Sequence, residues 1–265
     1  MTELSISAKV VRDCVKVADL QNRLEEDAKE VARLAGLKSH TVKNGNGDIL
    51  SVVEIVPDGL DGGAWDPDEG VIRISCSTLE DQHRFRVVLF HELQHAMGDI
   101  GRFGNRTSGE YLFNEIRAST LTSKEPSIDY LGFIRPPGEF YSALNLLSST
   151  VKGMNPEQIQ KNLQELLVEK PHQRFAMKMV LLNESNLPKL LVESRLYRTE
   201  NELGDRFEKV DSIISSLGIS GSLKRLDREL TSAMNMYLAN GTAPDLTGVN
   251  EAWAAYQSQV REQLG

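Results

Sequence analysis

The stretch of residues 87–99, VVLFHELQHAMGD, constrains the fold of this chain more than any other. It places His91, Glu92 and His95 inside a run that is otherwise apolar. Apolar residues before and after the polar ones indicate a central helix, which Gly98 would end. Polar side chains on a central helix cost free energy unless they have a partner, so the fold must supply one.

A metal ion is the partner that this spacing favours. Residues i and i+4 share a helix face, so His91 and His95 can each direct a nitrogen at one tetrahedral ion about 2.0–2.1 Å away. Glu92 lies beside that face, where it can take a proton from a water whose pKa the ion lowers and pass it to a leaving amine. This is the H-E-x-x-H motif of zincins, and it predicts a Zn²⁺ site with Glu92 as the catalytic base.

A catalytic zinc site also needs a third protein ligand. Gly101 stands where a metzincin has its third histidine, which excludes that subclass. We favour Glu115, because it lies on the next predicted helix, after a glycine-rich connection. Asp99 is the alternative, since it would share the face of His95 if the helix continued past Gly98.

Two segments carry a resemblance to known metallopeptidases. With HELQH and NEIRAS (residues 114–119), the chain resembles the gluzincins, thermolysin-like in ligand set, whose third ligand is a glutamate in an N-E-x-x motif. The segment GGAWDPDEGVIRISC (residues 62–76) is similar to the compact metallopeptidase core of bacterial effector and toxin proteins. The resemblance implies a zinc endopeptidase whose metal ligands are His91, His95 and Glu115.

The resemblance also implies a strand that binds substrate. In such folds the strand before the motif helix usually runs antiparallel to the substrate, so an extended peptide would bind by β-augmentation to Val71, Ile72, Arg73, Ile74 and Ser75. Acidic residues precede this strand, and residues 57–70 contain no Lys or Arg. They are either a rim that favours basic substrates or solvated turn carboxylates. These residues are Asp58, Asp61, Asp66, Asp68 and Glu69.

An oxyanion at the scissile carbonyl needs a hydrogen-bond donor besides the metal. The available side chains are Tyr111, Arg117, Tyr130 and Tyr141. We favour Tyr111 as a catalytic residue, because it lies at position i−4 relative to Glu115 and shares its helix face. The alternatives are that Tyr111 belongs to the core and that Arg117 pairs with a carboxylate.

Hydrophobic periodicity and turn signals divide the chain into two predicted domains. The patterns in residues 1–125 predict an α+β core, which the resemblance implies is a zincin-like metalloprotease core, and the Pro- and Gly-rich stretch that follows marks the boundary. Residues 126–265 show helical periodicity almost throughout and predict an all-α region that packs on the core or extends it. Within that region, the apolar positions from residue 203 to residue 237 indicate an antiparallel helical hairpin.

Within the core we expect an N-terminal helix, a small and mostly antiparallel sheet, the motif helix and the third-ligand helix. A β-hairpin is expected around residues 44–47, whose Asn-Gly-Asn-Gly sequence tolerates positive φ. The turn WDPDEG precedes an edge strand at residues 71–75. The T-x-x-E spacing of Thr107 and Glu110 is that of a capping box, which begins the helix after the motif helix.

The composition of the chain limits the classes of binding partner and the cellular locations that we expect. The net charge is −8, and no basic stripe interleaved with aromatic residues occurs, so we expect a protein or peptide substrate and no nucleic acid. No run approaches the roughly 18 apolar residues of a membrane span, and the N-terminus lacks a signal peptide. We therefore expect synthesis in the cytoplasm without Sec export, with a specialised secretion route left open. Cys14 and Cys76 lack close spacing, which supports neither a disulfide framework nor a thiolate metal site.

The leading prediction is a zinc endopeptidase that acts on a protein substrate. One alternative is a binding or regulatory module that keeps a metallopeptidase-like fold without turnover, and the intact Glu92 gives it no support. The other is a metal-dependent hydrolase of a substrate that is not a peptide. A secreted bacterial effector, a toxin domain, a mobile-element protein and an intracellular regulator are all compatible with these features.

Overall fold

The computed structural model describes most of the chain, including every residue of the motif helix. The described residues are 9–10, 19–35, 42–43, 49–50, 52–56, 62–101, 106–134 and 143–265. Cys14, Asp58, Asp61 and Tyr141, together with the turn at residues 44–47, lie outside this set. The predictions made for those residues are therefore not addressed by the structure.

The described residues are mostly helical, with a small amount of sheet, which is consistent with the α+β class. The strands are β1 (Lys9–Val10), β2 (Val42–Lys43), β3 (Ile49–Leu50), β4 (Val52–Val56), β5 (Gly63–Asp66) and β6 (Val71–Ser75). The helices are α1 (Asp19–Leu34), α2 (Gln82–Gly98), α3 (Ser108–Lys124), α4 (Tyr130–Ile134), α5 (Ala143–Thr150), α6 (Pro156–Glu169), α7 (Pro171–Leu182), α8 (Asn186–Tyr197), α9 (Asn201–Ser216), α10 (Ser220–Asn240) and α11 (Thr247–Leu264). A 3-10 helix, Cys76–Glu80, precedes α2. None of the helices in the described residues combines the length and apolar character that crossing a bilayer requires.

The chain divides into two compact units. The first comprises Met1–Asn105 and Arg117–Phe133, and the second comprises Arg106–Ile116 and Ile134–Gly265. Helix α3 therefore contributes its first half to the second unit and its second half to the first. The sequence predicted a single boundary after residue 125, whereas this division passes through α3 and returns at Ile134.

A mixed four-stranded sheet forms part of the first unit, in the order β1-β4-β6-β5. Strand β4 is parallel to both β1 and β6, while β5 is antiparallel to β6. The prediction of a mostly antiparallel sheet is therefore wrong. Alternating apolar residues identify a strand but not its partners, and β4 pairs with β1 and β6 instead of with a strand next to it in sequence.

Strand β6 is not an edge strand. Its backbone pairs with β4 on one side, where Ile72 is opposite Val53, and with β5 on the other, where Ile72 is opposite Trp65. A peptide cannot add to a strand that is paired on both sides. The prediction that a substrate binds by β-augmentation to Val71, Ile72, Arg73, Ile74 and Ser75 is thus wrong. Strand β5 was not predicted, and its last two residues, Trp65 and Asp66, belong to the predicted turn WDPDEG.

For the first unit, the sequence also led to predictions about a β-hairpin and about the cysteines. Strands β2 and β3 pair antiparallel, with Val42 opposite Leu50, which confirms the pairing of the predicted hairpin. Cys76 is bonded in a disulfide, and the described residues contain no free cysteine. The sequence spacing gave no support to a disulfide, so this bond was not predicted.

The motif helix α2 packs against α1, β5 and β6. It begins where the Asp81 side chain accepts hydrogen bonds from the backbone N–H groups of His83 at 2.8 Å and of Arg84 at 3.4 Å. Its apolar residues from Phe85 to Ala96 are buried, as expected for a central helix, and Met97 is partly exposed. The predicted capping box before α3 is confirmed, because Thr107 N–H donates to Glu110 Oε2 and Glu110 N–H donates to Thr107 Oγ1.

The second unit contains α5 to α11 and the first half of α3, and the described residues in it form no strand. The regular elements of residues 126–134 and 143–265 are all helices, as predicted for the C-terminal region. Helices α9 and α10 cover the two predicted arms of the helical hairpin, but α9 packs mainly against α6, and α10 packs mainly against α11. The predicted hairpin pairing is therefore wrong, since periodicity locates an apolar face without naming the helix that covers it.

Candidate metal centre

His91 and His95 present their Nε2 atoms to each other from one turn of α2. The two Nε2 atoms lie 3.1 Å apart, and the rings are edge to face with centroids 4.8 Å apart. Two nitrogens that bind one tetrahedral zinc ion lie about 3.3–3.4 Å apart, given the usual Zn–N length. The imidazoles are therefore close to the arrangement that a shared ion requires.

Glu115, which lies on α3, forms a group of three with His91 and His95 of α2. One ligand atom from each of His91, His95 and Glu115 can be chosen so that all lie within 4.8 Å of one another. All three residues are buried, with 8% exposure or less. Two imidazoles and one carboxylate are a donor set that suits Zn²⁺, and we call these residues the His91–His95–Glu115 group.

Asp99, the alternative ligand, lies on the other side of the His95 ring. Its Oδ1 is 2.9 Å from His95 Nδ1, whereas the His95 nitrogen that faces His91 is Nε2. Helix α2 ends at Gly98, and Asp99 has an extended backbone with φ −62° and ψ 134°. The condition for Asp99 to be a ligand was an unbroken helix, and the structure does not meet it.

Arg117 reaches this carboxylate from α3. Its side chain is only 2% exposed, and its Nη2 donates to the Gln94 carbonyl at 2.6 Å and to Asp99 Oδ1 at 3.3 Å. The interpretation that Arg117 pairs with a carboxylate is confirmed. Gly98 provides the space, because a Cβ atom there would lie 2.5 Å from Arg117 Nη1. The sequence identified Gly98 only as a helix stop.

Glu92 lies against β5, a strand that the sequence did not predict. A Cβ atom at Gly63 would lie 2.6 Å from Val88 Cγ1 and 3.1 Å from Glu92 Cγ. Glycine at position 63 therefore lets the backbone of β5 lie close to α2, with the tightest contact at Val88 and a second one at Glu92. Like the three predicted ligands, Glu92 is buried. The one sequence signal for this approach was the Gly-Gly pair before Ala64.

The side chains predicted as possible oxyanion donors differ in their burial and in their contacts. The Tyr111 hydroxyl lies 2.7 Å from Ser185 Oγ, so part of its hydrogen-bonding capacity is used inside the second unit. Tyr130 is buried, with its ring centroid 6.1 Å from that of Phe133. The catalytic role of Tyr111 remains a prediction.

Two of the acidic residues before β6 form ion pairs with Arg73. Arg73 Nη1 lies 2.6 Å from Asp66 Oδ2, and Arg73 also pairs with Glu69. Burial acts to raise the pKa of Asp66, but hydrogen bonds from Arg73 and from the backbone N–H groups of Glu69 and Asp68 outweigh it and lower that pKa. These contacts favour a structural role in the turn for Asp66 and Glu69, rather than an acidic rim open to substrate.

Compared with known proteins, the chain matches no protein-family model, no curated protein and no solved structure at a significant level. The geometry of the His91–His95–Glu115 group and the residues around it must therefore carry the functional interpretation. Glu92, Asp99 and Arg117 are the neighbours whose chemistry bears on it most directly.

Proposed function

We propose that this chain is a zinc-dependent endopeptidase with a zincin-like core, which hydrolyses peptide bonds of a protein substrate. The observation that carries the proposal is the buried His91–His95–Glu115 group, with Glu92 next to the first histidine on the same helix. Catalytic zinc sites use this ligand set and leave one position for water or substrate. The resemblance of HELQH and NEIRAS to gluzincin motifs agrees with the same assignment.

The chemistry divides between the ion and the protein. A zinc ion held by the three ligands would polarise the scissile carbonyl and lower the pKa of a water. Glu92 accepts the proton that the attacking water loses, and then delivers that proton to the amine of the departing product. Burial of Glu92 excludes bulk water from the proton transfer and strengthens the electrostatic interactions around it.

Strand β5 is the element that aligns the substrate in this proposal. It stands at the end of the sheet order, and no described strand pairs with its outer side. It also passes Glu92 at Gly63. A peptide that pairs with β5 would extend the sheet and bring its backbone beside the catalytic base. Strand β5 thereby takes the role that the sequence assigned to β6.

The first test is metal content together with peptide cleavage. Purified protein is expected to contain about one zinc per chain, as a single site of this kind requires. Incubation with a proteome-derived peptide library, followed by mass spectrometry of new termini, is expected to reveal cleavage that a chelator abolishes and added zinc restores. Zinc binding without any peptide cleavage would contradict the proposal and favour a binding module or a hydrolase of another substrate.

The contact between β5 and Glu92 gives a second prediction. Gly63→Ala is expected to push on Val88 and Glu92 and to lower kcat/KM by on the order of 10- to 100-fold, because small displacements of a catalytic group are costly. The added methyl group is also expected to lower the free energy of unfolding by about 1–3 kcal/mol, the usual effect of overpacking. Zinc content should stay unchanged. Steady-state kinetics and chemical denaturation measure the two effects.

A matched control is available on α10. A Cβ atom at Gly221 would meet no atom of the described residues within 4 Å apart from its chain neighbours and the backbone of its own helix, so Gly221→Ala makes the same chemical change without a clash. It should leave kcat/KM close to that of the unaltered protein. If Gly63→Ala is equally active, then β5 does not control the position of Glu92.

A further inference from the structure

His95 uses both of its ring nitrogens. Its Nε2 faces His91 Nε2 at 3.1 Å, and its Nδ1 lies 2.9 Å from Asp99 Oδ1. An ionised carboxylate has no hydrogen to donate, so the hydrogen in the contact with Asp99 belongs to Nδ1. A neutral imidazole that carries its hydrogen on Nδ1 has its lone pair on Nε2. Asp99 thus selects the tautomer in which Nε2 can bind a metal ion.

Asp99 is itself held in place from two directions. Its backbone N–H donates to the His95 carbonyl at 3.0 Å, which closes the last turn of α2. Its side chain, 6% exposed, accepts a hydrogen bond from Arg117. Arg117 also donates to the Gln94 carbonyl, so the guanidinium is anchored to the helix that carries both histidines. A buried carboxylate beside a buried, anchored guanidinium is compensated for its loss of hydration.

We infer that Asp99 and Arg117 act as a positioning pair for His95, and that this pair also fixes which carboxylate binds the ion. Asp99 is held at Nδ1 of His95, on the opposite side of that ring from the Nε2 atom that faces His91, and Arg117 keeps it there. Glu115 is then the carboxylate left to serve as the third ligand. The inference rests on the metal centre of the proposed function, but it does not depend on peptide hydrolysis.

Gly98 allows the pair to be disturbed without removing either charge. A Cβ atom at position 98 would lie 2.5 Å from Arg117 Nη1 and 2.8 Å from Arg117 Cζ. An exposed arginine side chain could change its conformation to avoid the added Cβ atom. The guanidinium of Arg117 would lose its hydrogen bonds to Gln94 and Asp99 if it moved. Gly98→Ala is therefore expected to weaken the hold of Arg117 on Asp99 while every ionisable residue remains.

The test measures zinc affinity by competition with a chelator, and the His95 tautomer by ¹⁵N NMR of the metal-free protein. Asp99→Ala is expected to weaken zinc binding by about 10- to 100-fold, the usual effect of removing the hydrogen-bond partner of a metal-binding histidine. It should also abolish the preference for hydrogen on Nδ1. Asp99→Asn keeps an acceptor oxygen and should recover most of that preference. Gly98→Ala should weaken zinc binding by a smaller factor.

Asp68→Ala is the matched control, because Asp68 is an exposed turn carboxylate. It should change neither zinc affinity nor the tautomer. Circular dichroism confirms that each variant is folded before it is compared. If Asp99→Ala leaves both measurements unchanged, the inference is overturned. It is also overturned if Asp99→Ala abolishes zinc binding while Glu115→Ala does not, since Asp99 would then be the ligand.

The same measurements separate this inference from the proposed function. An unaltered protein that binds zinc and cleaves no peptide would contradict the endopeptidase, whereas a weaker affinity of Asp99→Ala would still support the positioning pair. Conversely, a zinc-dependent peptidase whose affinity and His95 tautomer do not respond to Asp99→Ala would keep the function and reject the pair. A protein that binds no zinc would contradict the metal centre and the inference together.

Discussion

Glu92→Gln is expected to bind zinc as tightly as the unaltered protein and to lose about 10²- to 10⁴-fold in kcat/KM, the range that a general base contributes. Glutamine has nearly the same size as glutamate, so the packing of Glu92 against β5 should survive. It cannot accept a proton from the attacking water, and it has none to deliver to the leaving amine. Kinetics on a peptide found in the library screen, together with metal analysis of the same sample, measures both properties.

The control for this variant is Glu165→Gln, at an exposed position of α6. It makes the same chemical change and should leave both measurements unaltered. Full activity of Glu92→Gln would remove Glu92 from the role of base. Loss of zinc together with activity would show that Glu92 holds the ion or the surrounding fold. Only retained zinc with lost hydrolysis agrees with the proposed division of roles.

The second large effect is expected for the third ligand. Glu115→Ala should lower zinc affinity by more than the roughly 10- to 100-fold that removal of a histidine's hydrogen-bond partner costs, because a direct bond to the ion is lost. Activity should fall in parallel at limiting zinc and return in part when zinc is added in excess. Competition with a chelator gives the affinity, and a zinc titration of the cleavage rate gives the recovery.

Two comparisons make the Glu115 result specific. Glu165→Ala removes an exposed carboxylate and should leave zinc affinity unchanged. Asp99→Ala should weaken binding less than Glu115→Ala does, since Asp99 lies at His95 Nδ1, whereas the nitrogen of His95 that faces His91 is Nε2. An unchanged zinc content in Glu115→Ala would mean that another carboxylate completes the site, and Asp99 would be the first to examine.

The sequence was sufficient for the parts of the site that depend on local structure. His91 and His95 share a face because of the α-helical period alone, and the beginning of α3 follows from the capping box of Thr107 and Glu110. Glu115 was harder to predict, because its place beside the histidines depends on how α3 packs. The glycine-rich connection and the NEIRAS segment supplied the reason to choose it.

Two of the features that the sequence did not predict depend on contacts between elements that are not neighbours along the chain. Strand β4 pairs in parallel with β6 and not with β5, and local alternation and turn signals do not specify such a pairing. The same limit applies to α9 and α10, whose buried faces were predicted correctly but whose packing partners were not.

The omission of β5 has a different cause. Strands β5 and β6 are consecutive and form an antiparallel pair, separated only by residues 67–70. Trp65 and Asp66 belong to the turn that the sequence predicted, although they are the last two residues of β5.

The fit between Gly98 and Arg117 has a consequence for how this protein can change over generations. The space beside the glycine is filled by the guanidinium, so a larger residue at position 98 displaces the Arg117 side chain unless position 117 also carries a smaller residue. Among descendants of this chain, a larger residue at position 98 should therefore be accompanied by a smaller one at position 117. A glycine that looks like an ordinary helix stop would then covary with an arginine on the next helix.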